Sequence, residues 1–213
     1  MDLEFEDHLV GLSEWRNSHH FGIYRGFVDA VEEGDNLGII SVKIPDLFGG
    51  QHVVEKVRPC SPFAGDKHGF VTIPEVGDGV WILFEAGQTS LPVWIGFWWA
   101  GGEMPEPKGK LVRSFITSKG HKLLLDDDAD ELTVQHSGGG EMKFTSSDIT
   151  IKIGDTSVTL TEDDMTLQVG ASPTSPSIKI TSSDVTVQAS TIGSVKLTQG
   201  GVDIGNGAMK IGA

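Results

Sequence analysis

From residue 142 onward the chain repeats one pattern: apolar, polar, apolar, then a four-residue polar break, then apolar, Thr, apolar. Met142-Lys143-Phe144-Thr145-Ser146-Ser147-Asp148-Ile149-Thr150-Ile151 is echoed by Val158 to Leu167 and by Ile178 to Val187. A worn copy runs from Val195 to Ile204, and Met209-Lys210-Ile211 is half a copy. Side chains alternate across a strand, so each copy reads as two short strands around a turn, with Ile149, Ile151 and Ile153 on one face and Thr150 and Lys152 on the other. The breaks hold Thr, Ser, Asp and Gly, residues that supply turn geometry. Copies begin at 142, 158, 178, 195 and 209, at steps of 16, 20, 17 and 14, which makes a loose array that tolerates insertions at its turns.

Two or three apolar residues per strand cannot close a core within one chain. A single copy of this region is expected to form a narrow ribbon with one bare apolar face, unstable alone. Identical chains wound around a common axis would cover it; a monomeric solenoid is the competing arrangement. The expected shared core is Ile149, Ile151, Ile153, Met165, Leu167, Val169, Ile178, Ile180, Val185, Val187, Val195 and Leu197. The strands of a homotrimer are expected to pair between chains, which leaves no free edge along the shaft.

The front of the chain follows a different pattern. Strands are predicted near Tyr24–Val31, Gly38–Ile44, Val53–Pro59, Gly69–Ile73 and Val80–Glu85, with Val93–Phe97 closing a small barrel. A short helix is predicted from Glu4 to Trp15. Residues 1–100 hold all five Trp and the only Tyr, as a compact globule requires, and residues 101–213 hold none. The predicted organisation is a leader (1–20), a barrel (21–100), a linker (101–117) and a β-structured rear domain (118–213).

Composition narrows the function. The net charge of −14 divides into −9 for residues 1–100 (6 basic, 15 acidic) and −5 for residues 101–213 (10 basic, 15 acidic), which argues against a nucleic-acid partner. Cys60 stands alone, so no intrachain disulfide framework is available, and a small buried role is expected for it. The acidic start reads as no signal peptide, and no stretch reaches transmembrane length.

The candidate chemical groups are sparse. Asp126-Asp127-Asp128-Ala129-Asp130-Glu131 has the carboxylate density of a calcium loop without its alternating ligands and central Gly, and reads as a turn. His19-His20 has no third ligand positioned with it, and a contact between the leader and a neighbouring subunit or hub is expected instead. His8, His52, His68, His121 and His136 are scattered, and each reads as a surface residue. No nucleophile elbow, phosphate loop or catalytic carboxylate pair is present, so no enzyme, metal or cofactor is expected. Alternation places Trp94 and Trp98 on one side and Ile95, Phe97 and Trp99 largely on the other, with core packing and subunit contact favoured over base or sugar stacking.

Several front segments are familiar in combination: Tyr24-Arg25-Gly26-Phe27-Val28, Gly38-Ile39-Ile40-Ser41-Val42-Lys43-Ile44-Pro45, Pro74-Glu75-Val76-Gly77-Asp78-Gly79-Val80, Phe84-Glu85-Ala86-Gly87 and Leu91-Pro92-Val93-Trp94-Ile95-Gly96. In order and spacing they resemble the OB-fold domain of contractile-tail spike proteins, the family of phage baseplate assembly protein V, the valine-glycine repeat spike of type VI secretion, and the spikes of extracellular contractile injection systems. Ser118 to Asp127, followed by Glu131-Leu132-Thr133-Val134, resembles the segment leading from that domain into the family's trimeric β-helix.

The resemblance implies an all-β homotrimer, an OB barrel followed by an intertwined triple-stranded β-helix. It implies a hub protein at the OB end, transient contact with a target envelope, and residence in a virion baseplate or injection particle assembled in the bacterial cytoplasm. It further implies a conical tip protein of the proline-alanine-alanine-arginine type at the other end, received by Met209, Ile211 and Ala213. Two departures from the family pattern are visible: no lysozyme-like insert separates the domains, and no His-x-His pair is available to hold an apical iron. The competing functional class is a carbohydrate- or oligonucleotide-binding OB module on a β-structured fibre stalk. A polysaccharide hydrolase would need carboxylates in a row on one face, whereas this repeat puts Asp148, Asp164 and Asp184 in its turns.

Overall fold

The structure is a computed structural model and describes residues 3–189, 193–205 and 207–212. It is all-β apart from short helices, and divides into two compact units, residues 1–104 and 105–213.

The first unit opens with helix α1 (Leu3–Ser18), longer than the predicted segment. A closed barrel follows, in the order β1 (Tyr24–Val31), β2 (Ile40–Lys43), β3 (Val53–Pro59), β7 (Pro92–Phe97), β6 (Gly79–Phe84). Its core is Val28, Ile40, Val42, Ile44, Val57, Val80, Ile82, Phe84 and Trp94, the inward positions of alternating strands. Gly26 is dictated by that packing, because a Cβ there would meet Ile82 Cγ1 at 2.9 Å. Helix α2 (Pro45–Phe48) starts at the proline that ends β2.

One predicted strand is absent. Gly69–Ile73 holds only the second arm of a small hairpin, β4 (Ala64–Gly65) with β5 (His68–Gly69), and continues as irregular chain. Its apolar residues do not join the ladder: Val71 is 72% exposed, and Pro74 has no N–H to donate.

The second unit is one antiparallel sheet of twelve strands in chain order: β8 (Val112–Ile116), β9 (Lys122–Asp126), β10 (Glu131–Gln135), β11 (Glu141–Phe144), β12 (Asp148–Ile153), β13 (Thr156–Thr161), β14 (Asp164–Val169), β15 (Ser177–Thr181), β16 (Asp184–Gln188), β17 (Ser194–Thr198), β18 (Gly201–Ile204) and β19 (Met209–Ile211). The stretch read as a linker therefore contributes β8. Within the chain each strand pairs with its neighbour in sequence. The reason is local: turns of a few residues join strands of matched length, so each strand meets its sequence neighbour first.

Threonine builds the repeated turn. Thr161 Oγ1 accepts the backbone N–H of Asp163 (3.3 Å) and Asp164 (3.0 Å), and Thr181 Oγ1 accepts those of Ser183 (3.2 Å) and Asp184 (3.0 Å). Thr145 does the same for Ser147 and Asp148. The aspartates were read as turn residues, yet they stand as the first residues of β12, β14 and β16, and their carboxylates face along the sheet. Asp164 pairs with Lys179 at 2.9 Å and Asp184 with Lys196 at 3.1 Å, each pair tying one hairpin to the next strand.

Candidate functional site

Register turns the repeat into columns. Leu132, Phe144, Ile149, Leu160, Met165, Ile180, Val185, Leu197, Val202 and Ile211 stand directly opposite one another on successive strands from β10 to β19. Two residues along each strand, a second column joins Val134, Met142, Ile151, Val158, Leu167, Ile178, Val187, Val195, Ile204 and Met209. Leu125 and Leu123 extend the two columns onto β9. Ile153 and Val169 lie beyond the second column on the same face, on either side of Thr156.

All twelve residues expected to form a shared core thus lie on one face. So do Met209 and Ile211, which continue the columns; Ala213 is outside the described residues. Within this unit the face stays open to solvent at many of its positions among the described residues: Ile149 is 36% exposed, Ile151 38%, Leu167 37% and Met209 54%. Further apolar residues share the face. Met142, Phe144, Val158 and Leu160 belong to the same repeated phrase, and period-two alternation in that phrase was the signal that finds them.

Between the columns, on the opposite face, runs a polar row: Thr133, Lys143, Thr150, Thr159, Thr166, Lys179, Thr186, Lys196, Asp203, Lys210. Thr133 is buried, and near it Lys143 donates to Glu131 at 2.9 Å. That bond, followed by the charges of Glu131, Glu141 and Asp148, raises the Lys143 pKa above the ordinary lysine value against a smaller opposing effect of burial. Most of the row is half-buried, with Lys179, Lys196 and Lys210 exposed, and hydrogen bonds and ion pairs organise it.

The acidic run is the β9–β10 turn. Asp126 Oδ1 accepts the N–H groups of Asp128 (3.0 Å) and Ala129 (3.1 Å), Asp127 pairs with Arg113 at 3.2 Å, and Glu131 is held by Lys143. Among the described residues no three His, Cys, Asp or Glu side chains gather as a metal site.

The histidines are less scattered than their sequence positions suggest. Pairing of Lys122 with Gln135 brings His121 and His136 to a ring separation of 4.5 Å. His121 Nδ1 accepts the N–H of Ser137 (3.3 Å) and His136 Nδ1 that of Gly138 (3.0 Å), which leaves the proton of each neutral ring on Nε2. In the first unit, His19 bridges to Gln88 and the His20 N–H donates to Gly87 O at 2.7 Å, so the leader's end is tied to its own barrel. The His20 ring sits 6.0 Å from those of Tyr24, Phe48 and Phe84.

Two barrel expectations need correction. Cys60 is exposed: it follows Pro59, the last residue of β3, and its backbone N–H still donates to Trp94 O at 2.9 Å while its side chain stays outside the core. Trp94 and Trp98 do not share a side, because the β6–β7 register shifts between Trp81 and Ile82 and leaves Ile95 as an extra residue that reverses the parity. Trp94 is core, its Nε1–H donating to Gly38 O at 2.9 Å. Trp98 packs outside, with the Arg25 guanidinium 5.1 Å from its ring, Phe27 edge-on at 5.1 Å, and its Nε1–H on Val80 O. A ring engaged in this way is a poor platform for a base or sugar.

Residues 24–99, which cover the barrel, match the family model of the type VI secretion system/phage-baseplate injector OB domain. A comparison with curated proteins returned no match.

Proposed function

Residues 24–99 belong to the injector OB family of phage baseplates and type VI secretion, a structural component of injection machines, and from that premise we propose that this chain is the machine's central spike. Three copies would cover one another's apolar faces around an axis, making a needle, with their barrels as a collar on the hub. Contraction of a sheath would drive the needle into a target envelope, and the work comes from the sheath. Met209, Ile211 and Ala213 would meet a conical tip protein. Assembly would take place in the bacterial cytoplasm, before the particle forms.

The supporting observation is the pair of apolar columns running uninterrupted through strands β9 to β19 and partly exposed along that length. Full burial of a Val, Ile or Leu side chain is worth about 1.5–3 kcal/mol, and many such side chains in the columns are partly exposed, among them Ile149, Ile151, Leu167 and Val187. A monomer would forgo that energy and expose an aggregation surface. The polar row, already satisfied by ion pairs, suits the outside of the needle.

Size-exclusion chromatography with light scattering tests the reading. The expected particle has three times the 22.8 kDa chain mass and resists SDS; a stable 22.8 kDa species would end it.

A further inference from the structure

The polar face of strands β8 to β11 holds a cavity of about 230 Å³. Pro107, Val112 and Leu124 are its apolar walls, and its other lining residues are polar or charged. Thr133 stands among them and differs from its counterparts in the repeat. Thr150, Thr166 and Thr186 each donate to the aspartate two residues before, at 3.4 to 3.5 Å. Thr133 has Glu131 in that place, and Glu131 is held by Lys143 at 2.9 Å.

Thr133 is 8% exposed, and its hydroxyl makes no hydrogen bond to any described residue. Among the described residues no side-chain polar atom is sealed off without a partner, so this hydroxyl is reached from the cavity it lines. A hydroxyl so placed calls for a hydrogen-bonding partner in the cavity. The groups around it keep unused capacity as well. Lys143 gives one N–H to Glu131 and retains two, and Asp126 engages Oδ1 with the N–H groups of Asp128 and Ala129 and keeps Oδ2. The side chains of Gln135 and Glu141, which complete the lining, bond to no described residue.

Charge narrows the ligand. Asp126, Glu131 and Glu141 repel an anion. Lys143 in the lining, with Lys122 opposite Gln135 and Lys152 opposite Glu141 on the same face, opposes a free cation. A neutral ligand that both donates and accepts suits this mixture of groups, and hydroxyls do both. The apolar walls require C–H surface beside those hydroxyls. A pyranose ring presents the two together, hydroxyls at its rim and C–H groups on its faces.

We infer that the cavity binds a saccharide through a single pyranose ring. Thr133 Oγ1 and the free oxygens of Asp126 and Glu141 accept hydrogen bonds from its hydroxyls, and Lys143 donates to them. One chain supplies the whole lining, so the site does not depend on the spike reading, and in the proposed needle the polar face lies outside and leaves it open.

The experiment is saturation-transfer difference NMR on the full-length protein, sized by light scattering in the same buffer. Glucose, galactose, mannose and N-acetylglucosamine are the probes, with putrescine and inorganic phosphate as charged controls. At least one sugar should bind with millimolar affinity. Thr133→Val should raise its Kd by at least about threefold, the loss of one hydroxyl contact. The same substitution should not lower the melting temperature, because the hydroxyl holds nothing within the chain. Glu141→Gln, which keeps the size of the side chain, should weaken binding similarly and serves if Thr133→Val fails to fold. The disaccharide of the bound sugar separates two sources, both of which uphold the site: equal binding identifies a chain end, and lost binding a free sugar. No sugar binding, binding unchanged in both variants, or preference for putrescine or phosphate overturns the inference. Binding by a trimer and binding by a monomer both uphold it, so its outcome is separate from that of the spike reading.

Discussion

At the scale of single residues, the rear unit spends its polar side chains on register. Lys143 is the best-held cation of the sheet: Glu131 on the neighbouring strand accepts its hydrogen bond, and Glu141 and Asp148 add their charge. A group whose folded pKa is raised contributes stability in full below its unfolded value, and that contribution disappears as pH rises through the folded value. The window is therefore alkaline, above the ordinary lysine value of 10.5. Between about pH 9 and about pH 12 the melting temperature of the wild type should fall more than that of Glu131→Gln, which lacks the partner charge. Parallel curves would show that the pair contributes nothing. The sequence showed that Lys143 and Glu131 were polar positions of strands, but their meeting depends on the Thr133–Lys143 register, which a tight turn at Ser137 to Gly140 sets. His121 and His136 were overlooked as a pair for the same reason: fifteen residues separate them in sequence and one register step joins them.

At the scale of the element, the hairpin is the unit that repeats, and threonine is what closes it. The phrase Thr-Ser-Ser-Asp is legible as a turn, and by sequence alone the aspartate is the expected turn former because it is the commoner local hydrogen-bonding residue. Physically the Thr hydroxyl is better placed. It sits at the end of the first strand, where it accepts two N–H groups and donates to the carbonyl of Asp184 in the third copy, which frees the carboxylate to reach Lys196. Thr181→Val keeps the shape and β propensity of the side chain while removing the hydroxyl's hydrogen bonds to Ser183 and Asp184. It should lower stability by about 1–2 kcal/mol, read as a drop in thermal midpoint with unchanged oligomeric state. An unchanged midpoint would return the turn to the aspartate. Alternation alone recovered most strand positions, and it failed where backbone irregularity intervenes: at Ile95, where one extra residue reverses the inward side, and at Gly69–Ile73, where an apolar run forms the wall of a hollow instead of a strand.

At the scale of the whole molecule, the two faces of the sheet make opposite demands on assembly, and that contrast gives the sharpest test. Ile151 and Thr150 are neighbours on β12, equally central in the sheet and of similar size and β propensity. Ile151 belongs to an apolar column and Thr150 to the polar row. In the proposed needle Ile151→Asp places three carboxylates near one axis with no partner, a burden of several kcal/mol each, while Thr150→Asp places each carboxylate on the polar face directly opposite Lys143. Ile151→Asp should therefore yield monomer or aggregate, and Thr150→Asp should remain an SDS-resistant trimer with a melting temperature within a few degrees of wild type. A monomeric solenoid that buried the apolar columns within one chain would lose its fold in Ile151→Asp without any change of mass in Thr150→Asp or in the wild type, so light scattering on the three proteins separates the two arrangements. A sheet that used its polar face for assembly would reverse the result, with Thr150→Asp dissociated and Ile151→Asp intact. The ion pairs already satisfied on that face, Lys179 to Asp164 and Lys196 to Asp184, argue for the first outcome.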